Sequence, residues 1–209
     1  KMNLRWIDVT LPMHRGMTLW PGDPPFSLEA DVRIARGNSC NVSKLSLGTH
    51  TGTHLDAPWH FIENGAQLEN IDKSLFFGTA LILDCSGSHQ INAADLPAER
   101  LPERVLFKTA NSRIAEDSSF VQDFTGIEAD AAQRLVDDGV RLVGIDYLSI
   151  GPYKRGEAVH KILLGNGTII VEGLRLANVP AGKHEFIVLP LRLLHADGAP
   201  CRAFVGVAG

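Results

Sequence analysis

The most constraining feature of this 209-residue chain is the segment 50–60, which reads HTGTHLDAPWH. Its potential metal ligands, which include three of the chain's eight histidines, are His50, His54, Asp56 and His60. Gly52 and the adjacent threonines disfavour a helix, and Pro58 bends the chain that follows. In a fully extended chain these side chains share one face, but His50 and His54 stand roughly 13 Å apart at ~3.3 Å per residue. We therefore predict a curled loop that leaves a strand.

This density of ligands favours a metal site. Imidazole nitrogen and carboxylate oxygen bind divalent ions such as zinc and manganese. A lone histidine is usually an ordinary polar side chain, but four potential ligands in eleven residues are not explained by an acidic run or low complexity. His160, in a segment whose apolar spacing predicts a short helix, is a candidate to complete the site. Glu172 follows an apolar strand, where an acid either pairs with a cation or marks the point at which the strand reaches the surface.

Composition narrows the classes of partner and compartment. The net charge of −4 and the scattered Lys and Arg residues argue against nucleic acid as a partner. No apolar run approaches the ~20 residues of a membrane span, and no secretory leader is visible. Three cysteines, far apart and in no CxxC pair, predict core hydrophobes in a reducing compartment rather than disulfides. We expect a cytoplasmic protein that acts on a small molecule, away from membranes.

Hydrophobic periodicity predicts more strands than helices. Alternation over residues 26–34 predicts a half-buried strand, and further strands are predicted at 42–47, 80–84, 104–108, 140–146, 168–171, 185–189 and 202–207. Asn92 is predicted to cap a short helix that runs to Glu99. Residues 125–128 match a capping box for a helix that ends near Asp138. The predicted fold is one mixed α/β domain spanning residues 1–209, built on a substantial and partly closed sheet.

The chain resembles the cyclase-like metal hydrolase family, which includes bacterial kynurenine formamidase (arylformamidase) and isatin hydrolase. The motif that carries the resemblance is H-x-G-T-H-x-D-x-P-x-H, which segment 50–60 matches in full. The element WPGD at residues 20–23 and the spacing of His160 and Glu172 also agree, so the resemblance covers nearly the whole chain. Two departures concern the substrate: formamidases often carry Ala at position 53, and residues 144–150 differ from the formamidase version.

The resemblance implies the roles of individual residues. The implied metal ligands are His50, His54, Asp56, His160 and Glu172. Asp56 would bridge two ions, His60 would be the proton donor and acceptor, and Trp20 would pack against the substrate ring. The implied cofactor is Zn²⁺, as one or two ions, with Mn²⁺ as the alternative. The implied fold is a barrel-like mixed sheet flanked by helices, of the swivelling β/β/α type, assembled as a homodimer or a larger homo-oligomer such as a tetramer.

We predict a metal-dependent hydrolase that uses metal-activated water on an aromatic formamide. The first substrate is N-formylkynurenine, which yields kynurenine and formate in tryptophan catabolism. The alternatives are hydrolysis of a related cyclic amide, imide or lactone such as isatin, a catalytically silent metal-binding protein, and an oxidoreductase on a 2-His-1-carboxylate site. The presence of His60 argues against a silent protein, since holding metal does not require it.

Two of these roles have alternatives at the level of the residue. An imidazole titrates near ~6.5 and suits a proton shuttle, but His60 as a fourth metal ligand is the competing interpretation. Trp20 precedes a Pro-Gly turn, where it either walls a pocket or packs in the core. Other aromatic candidates for the pocket wall are Trp59, Phe61, Phe76 and Phe77.

Overall fold

A computed structural model describes residues 4–114 and 118–209. In chain order its elements are β1 (Leu4–Asp8), β2 (Ser27–Val32), β3 (Val42–Ser46), β4 (His54–Asp56), β5 (Phe77–Asp84), β6 (Arg104–Lys108), α1 (Ala129–Asp138), β7 (Leu142–Ile145), α2 (Gly156–Gly165), β8 (Ile169–Glu172), β9 (Gly182–Pro190) and β10 (Gly198–Ala208). Every strand predicted from the sequence is present. β1 and β4 lie outside the predicted strands.

Seven strands close into a barrel in the order β10-β4-β8-β7-β6-β5-β9, because β10 pairs with both β4 and β9. The run β5-β6-β7-β8 is parallel, and the remaining pairs are antiparallel. Parallel neighbours need a crossover, which α1 provides between β6 and β7 and α2 provides between β7 and β8. β1 extends the sheet from β10. The predicted single mixed α/β domain with a barrel-like sheet and flanking helices is confirmed.

The barrel strands alternate between two hydrophobic clusters. Leu106 and Val171 belong to the cluster inside the barrel, whereas Phe107 and Ile170 belong to the cluster that α1 and α2 form on its outer wall. Because both faces of β6, β7 and β8 are buried, the central residues of these strands are apolar. A polar residue on the outer face is consequently held between the barrel and a helix, and this layer contains the candidate site.

The β2–β3 hairpin is a separate two-stranded sheet outside the barrel. The prediction of a half-buried strand over residues 26–34 is correct in location but wrong in burial. Leu28 and Leu45 face each other across the hairpin, and each is 52% exposed. Ile34 and Val42 are also exposed. The alternation therefore describes an apolar face that nothing in residues 4–114 and 118–209 covers.

One predicted helix start and one predicted helix length are wrong. Residues 125–128 form no capping box, since Glu128 caps α1 without a side-chain hydrogen bond. The backbone N–H of Glu128 donates to Ile91 O instead, and its carboxylate pairs with Arg155. The capping box at Asn92 does form, but the turn that it opens covers only Ala93–Asp95. Pro97 follows at once, and a proline holds the preceding residue in an extended conformation.

Two observations relate to the predicted compartment: the burial of the cysteines and the length of the helices. Cys85 and Cys201 are buried as predicted, but Cys40 is exposed because it lies in the connection of the β2–β3 hairpin, and all three thiols are free. Across the two described ranges no helix combines the length and the apolar character needed to cross a bilayer.

Candidate metal centre

The segment 50–60 reaches the barrel wall as a loop followed by a very short strand. A turn precedes β4, as the predicted curled loop requires, and the Thr53 hydroxyl fastens it by donating to Gly173 O at 2.6 Å. Gly173 has a φ of 70°, and a Cβ there would lie 2.4 Å from Gly52 O. Glycine is thus required at position 173 for the loop to lie against the end of β8.

Strand periodicity and register bring the acids to one place. Leu55 points into the barrel, so His54 and Asp56 lie on the opposite face, toward α2. In the antiparallel pairing of β4 with β8, His54 stands directly opposite Glu172. α2 crosses above them and contributes His160, which is also buried. All of these side chains are at most 5% exposed, so the alternative in which Glu172 surfaces is wrong.

The distances between these groups define a compact cluster. His54 Nε2 lies 3.3 Å from Glu172 Oε2 and 3.4 Å from Asp56 Oδ1. His160 Nε2 lies 3.1 Å from Glu172 Oε1 and 3.8 Å from Asp56 Oδ2. His50 Nδ1 lies 2.8 Å from Asp56 Oδ1. Two sets have donor atoms within 4.8 Å of one another: His54, Asp56 and Glu172, and His50, Asp56 and His60.

Backbone contacts orient two of the imidazoles. His54 Nδ1 donates to Gly52 O at 2.9 Å, and His160 Nδ1 donates to Gly156 O at 2.8 Å. Each ring therefore directs Nε2 toward the carboxylates, where it can bind a metal once it has lost its proton. Such hydrogen bonds behind a ligating histidine fix its tautomer and orientation. Glu172 is held in turn by the backbone N–H of Ile150 at 2.7 Å.

The cluster fits a divalent cation. Asp56 Oδ2 is fully buried and has no hydrogen-bond partner among the described residues, which is costly for a carboxylate oxygen. A cation would satisfy this oxygen, and imidazole with carboxylate is a donor set of zinc and manganese sites. Asp56 belongs to both ligand sets, so its position fits the bridging role that the family resemblance implies.

The electrostatics of the cluster also favour added positive charge. Burial alone would lower the pKa of His54, but hydrogen bonds with Asp56 and Glu172 raise it to about 10. His50 is likewise buried, yet Asp197 and Asp56 raise its pKa to about 9. Burial alone would raise the pKa of Asp56, but its contacts with His50 and His54 hold that pKa well below its usual value. Two buried acids thus draw protons onto the imidazoles, and a metal ion would supply that charge instead.

His60 lies at the open side of the cluster. It belongs to the turn Pro58–His60, and its ring stacks on His50 with centroids 3.8 Å apart. Burial lowers its pKa, and the positive charges of His50 and His160 lower it further. The ring makes no hydrogen bond to any residue in the described part of the chain, so its nitrogens are free to exchange a proton. Its donor atom is also near enough to Asp56 for the fourth-ligand interpretation to stand.

The cluster opens into a cavity of about 390 Å³, which has an aromatic wall. Trp20 lines it and is buttressed by edge contacts with Phe120 at 5.1 Å and Phe124 at 6.2 Å, and by Tyr153 at 5.6 Å. Phe61 also lines it, with its ring stacked on His160 at a centroid distance of 4.4 Å. The wall suits a planar aromatic group.

The structure brings all seven candidate residues together in one site. Trp20, His50, His54, His60, His160 and Glu172 line the cavity, and Asp56 lies directly beneath it. Of the other proposed wall residues only Phe61 lines the cavity, since Trp59 and Phe77 are exposed on the surface and Phe76 packs against the barrel core.

Sequence reasoning gave no role to four charged residues near the site: Asp23, Lys154, Glu157 and Asp197. Asp23 closes the turn that begins at Trp20, so the WPGD element was a signal for it. Lys154 and Asp197 lie in loops far along the chain, where no local pattern indicates a site.

The family model described as "Putative cyclase" matches residues 7–152, and the chain belongs to this cyclase family. Kynurenine formamidase of Bacillus cereus is 38% identical over 203 residues, which cover 96% of each chain. A solved structure of a potential metal-dependent hydrolase with cyclase activity is 34% identical, with a TM-score of 0.84 over 98% of both chains. Isatin hydrolase A from Labrenzia aggregata has a TM-score of 0.85 over 99% of this chain and 94% of its own, but at 22% identity it shows a shared fold alone.

Proposed function

We propose that this protein is a metal-dependent amidohydrolase that converts N-formylkynurenine and water into kynurenine and formate. The observation that carries the proposal is the convergence of His54, Asp56, His160 and Glu172 around an unsatisfied buried oxygen, beside an aromatic-walled cavity. The identity of 38% to a kynurenine formamidase over nearly the whole chain supports the choice of a formamide. The reaction acts on a C–N bond that is not a peptide bond.

We assign the metal to His50, His54, Asp56, His160 and Glu172. A divalent ion held by these residues would supply Lewis-acid chemistry, which polarises a carbonyl oxygen and lowers the pKa of water. We propose Zn²⁺, as one or two ions, because the imidazole-rich donor set suits it, with Mn²⁺ as the alternative. The free cysteines accord with a reducing cytoplasm, where tryptophan catabolism would supply the substrate.

The chain's own residues would then hold the substrate and move the proton. Trp20 and Phe61 enclose the aryl ring and keep bulk water away from it. His60, neutral at physiological pH because burial lowers its pKa, accepts a proton from the attacking water. It then returns that proton to the aryl nitrogen as the C–N bond breaks. Atoms balance, since the water oxygen joins the formyl carbon and one proton is transferred to the amine.

Two charged residues on the cavity wall favour N-formylkynurenine over isatin. Apart from the metal cluster, the described lining contributes Asp23, Lys154 and Glu157, and Glu157 is already paired with Lys161. Asp23 and Lys154 are suited to the ammonium and the carboxylate of an amino-acid side chain. Isatin carries neither charge. We therefore propose that the substrate is an aryl formamide with a zwitterionic tail.

The experiment that tests the function begins with metal analysis of the purified protein. The metal-stripped protein is then reloaded with Zn²⁺ or Mn²⁺ and assayed with N-formylkynurenine, formanilide and isatin. We expect activity on N-formylkynurenine that a chelator abolishes and metal restores. Metal-bound protein that hydrolyses none of the three would support a silent metal-binding protein, and preferential turnover of isatin would support the cyclic-amide alternative.

The two wall charges give a sharper prediction about the substrate. Lys154→Ala is expected to raise KM for N-formylkynurenine about tenfold, because one charge-assisted contact contributes ~1.5 kcal/mol. KM for formanilide, which lacks the amino-acid tail, should not change. Lys183→Ala is the matched control, since Lys183 is an exposed lysine on β9 that does not line the cavity. An equal change for both substrates would remove Lys154 from the proposed tail-binding role.

We further propose that the protein is a homo-oligomer, a dimer or a tetramer. An isolated two-stranded hairpin is marginal in water, and the β2–β3 hairpin exposes Leu28, Ile34, Val42 and Leu45. A second copy of the chain is the partner that we expect to cover this face.

A further inference from the structure

Asp197 is an acid outside the histidine-rich segment that nevertheless touches it. It lies immediately before β10, whose first residue Gly198 pairs with Asp56 of β4. Its backbone carbonyl accepts a hydrogen bond from the N–H of Ala57 at 2.9 Å. The antiparallel pairing therefore carries Asp197 to the edge of the proposed metal centre, although it is 147 residues from His50 in the sequence.

The two nitrogens of His50 face two different carboxylates. Nδ1 points inward to Asp56 Oδ1 at 2.8 Å, on the side of the buried ligand cluster. Nε2 points outward and lies 2.8 Å from Asp197 Oδ2. The inner nitrogen is thus the one available to a metal, and the outer N–H is free to donate to Asp197. A carboxylate behind a ligating imidazole fixes the tautomer and raises the basicity of the ligating nitrogen.

The local structure holds Asp197 firmly in this position. Thr49 donates its hydroxyl to Asp197 Oδ2 at 3.3 Å. A Cβ on Gly198 would lie 2.9 Å from His50 Cε1, so the backbone is pressed against the ring of this histidine. The Asp197 side chain is 37% exposed, and the charge can therefore be removed without leaving an unpaired polar group in the core.

His50 differs in this respect from the other two proposed ligand histidines. The outer nitrogens of His54 and His160 donate to backbone carbonyls, of Gly52 and Gly156 respectively. Those contacts are neutral and cannot be changed by a side-chain substitution. Among these three imidazoles, only His50 has its orienting contact from an ionised side chain.

We propose that Asp197 is a positioning residue of the metal centre, whose carboxylate holds His50 in the tautomer and orientation that bind metal through Nδ1. This inference rests on the proposed metal site. It extends that site by a residue that the histidine motif does not contain.

The test measures metal affinity on the full chain without any substrate. Metal-stripped wild type, Asp197→Asn and Asp197→Glu are titrated with Zn²⁺ in competition with a chelating dye. Asp197→Asn keeps the shape and loses the charge, so we expect Zn²⁺ binding at His50 to weaken by about 10- to 100-fold at unchanged stoichiometry. Asp197→Glu restores a carboxylate and should recover part of the affinity.

Asp123→Asn is a matched control. It removes the same charge from another Asp–His pair, in which Asp123 Oδ1 lies 3.2 Å from His89 Nε2 on the exposed surface. We expect wild-type affinity for this variant. Metal-free Asp197→Asn loses the ion pair with protonated His50, so we expect its melting temperature to fall by a few degrees. A single cooperative transition and an unchanged circular dichroism spectrum separate an effect on the ligand from a general loss of structure.

Four outcomes would overturn the proposal. Unchanged Zn²⁺ affinity in Asp197→Asn would show that His50 needs no orienting acid. If the affinity were unchanged but the fall in activity at low pH shifted, Asp197 would instead act on His60, whose Nδ1 lies 3.9 Å from Asp197 Oδ2. Loss of one metal equivalent at saturation would make Asp197 a ligand. Loss of the cooperative unfolding transition in the metal-free variant would assign it a structural role. If the wild type itself bound no metal, the proposed function would fail first, which distinguishes the two failures.

Discussion

At the scale of single residues, His60 is distinguished from its neighbours by a ring with no hydrogen bond to the described residues. His54 and His160 each have one nitrogen committed to a backbone carbonyl and the other aimed at the acids. A ligand gains from being held in this way, whereas a proton shuttle needs a nitrogen that neither a metal nor a backbone carbonyl occupies. The stacking of His60 on His50 orients the ring without occupying its nitrogens.

This difference predicts that His60→Ala keeps its metal and loses its turnover. General acid–base catalysis contributes about 10²- to 10⁴-fold, so kcat should fall by that factor while the metal content stays at the wild-type level. Metal analysis and steady-state kinetics measure the two quantities. His89→Ala, which removes an exposed histidine, is the control. Loss of metal from His60→Ala would instead support the fourth-ligand interpretation.

The lowered pKa of His60 predicts the acid limb of the pH–activity profile, which is the fall in activity at low pH. Because burial and the nearby positive charges lower this pKa below 6.5, the neutral, proton-accepting form predominates at pH 7. We expect kcat/KM of the wild type to be level near neutrality and to fall, with a slope of one proton, only as the pH drops below 6.5. The residual activity of His60→Ala should lack this limb. A limb centred above 6.5 would contradict the assignment.

At the scale of elements, the site depends on how closely the loop at Gly52 lies against the end of β8. β4 is only three residues long, so its pairing contributes few hydrogen bonds. The contact of Thr53 with Gly173 O and the positive φ of Gly173 keep the loop in place. Glu172 stands at the same point, and a displaced loop would separate it from His54.

Gly173→Ala is therefore expected to damage both stability and metal binding. A non-glycine residue in the left-handed region costs ~1–2 kcal/mol, and the overlap of its Cβ with Gly52 O adds to this, for a total of roughly 3 kcal/mol. Denaturant unfolding measures the loss. Gly167→Ala is the matched control, since Gly167 has a φ of 77° but open space around its Cβ, and should lose only about 1 kcal/mol. Equal losses would mean that the close approach is unimportant.

At the scale of the whole molecule, the exposed β2–β3 hairpin predicts self-association. Replacing Leu28 and Leu45 together by Ser removes two large side chains from one face, each contributing about 1.5–3 kcal/mol when buried. We expect the wild type to run as a dimer or tetramer by light scattering, and the double variant to dissociate at least 100-fold more readily. Lys44→Ser, on the same hairpin, should leave the mass unchanged. A monomeric wild type would refute the proposal.

The local patterns in the sequence predicted most of the secondary structure, and the family resemblance named the candidate ligands that the fold brings together. The apolar runs at residues 104–108 and 140–146 correspond to β6 and β7, and Gly139 ends α1 as expected. The predictions failed where a distant contact replaced a local one. The backbone N–H of Glu128 donates to Ile91, so the expected capping box does not form, and the apolar alternation of the hairpin lacks the barrel contact that a half-buried strand would have.

The sequence by itself determined which residues of segment 50–60 are candidate metal ligands, because the spacing and types within that segment are local properties that a chain carries before it folds. Only the tertiary structure decided which side chains meet. The pairing of β4 with β8 and β10 brings Glu172 and Asp197 to the histidines from more than a hundred residues away. Local spacing carries no information about strand register, which depends on the closure of the whole barrel and on its alternation between an inner and an outer hydrophobic layer.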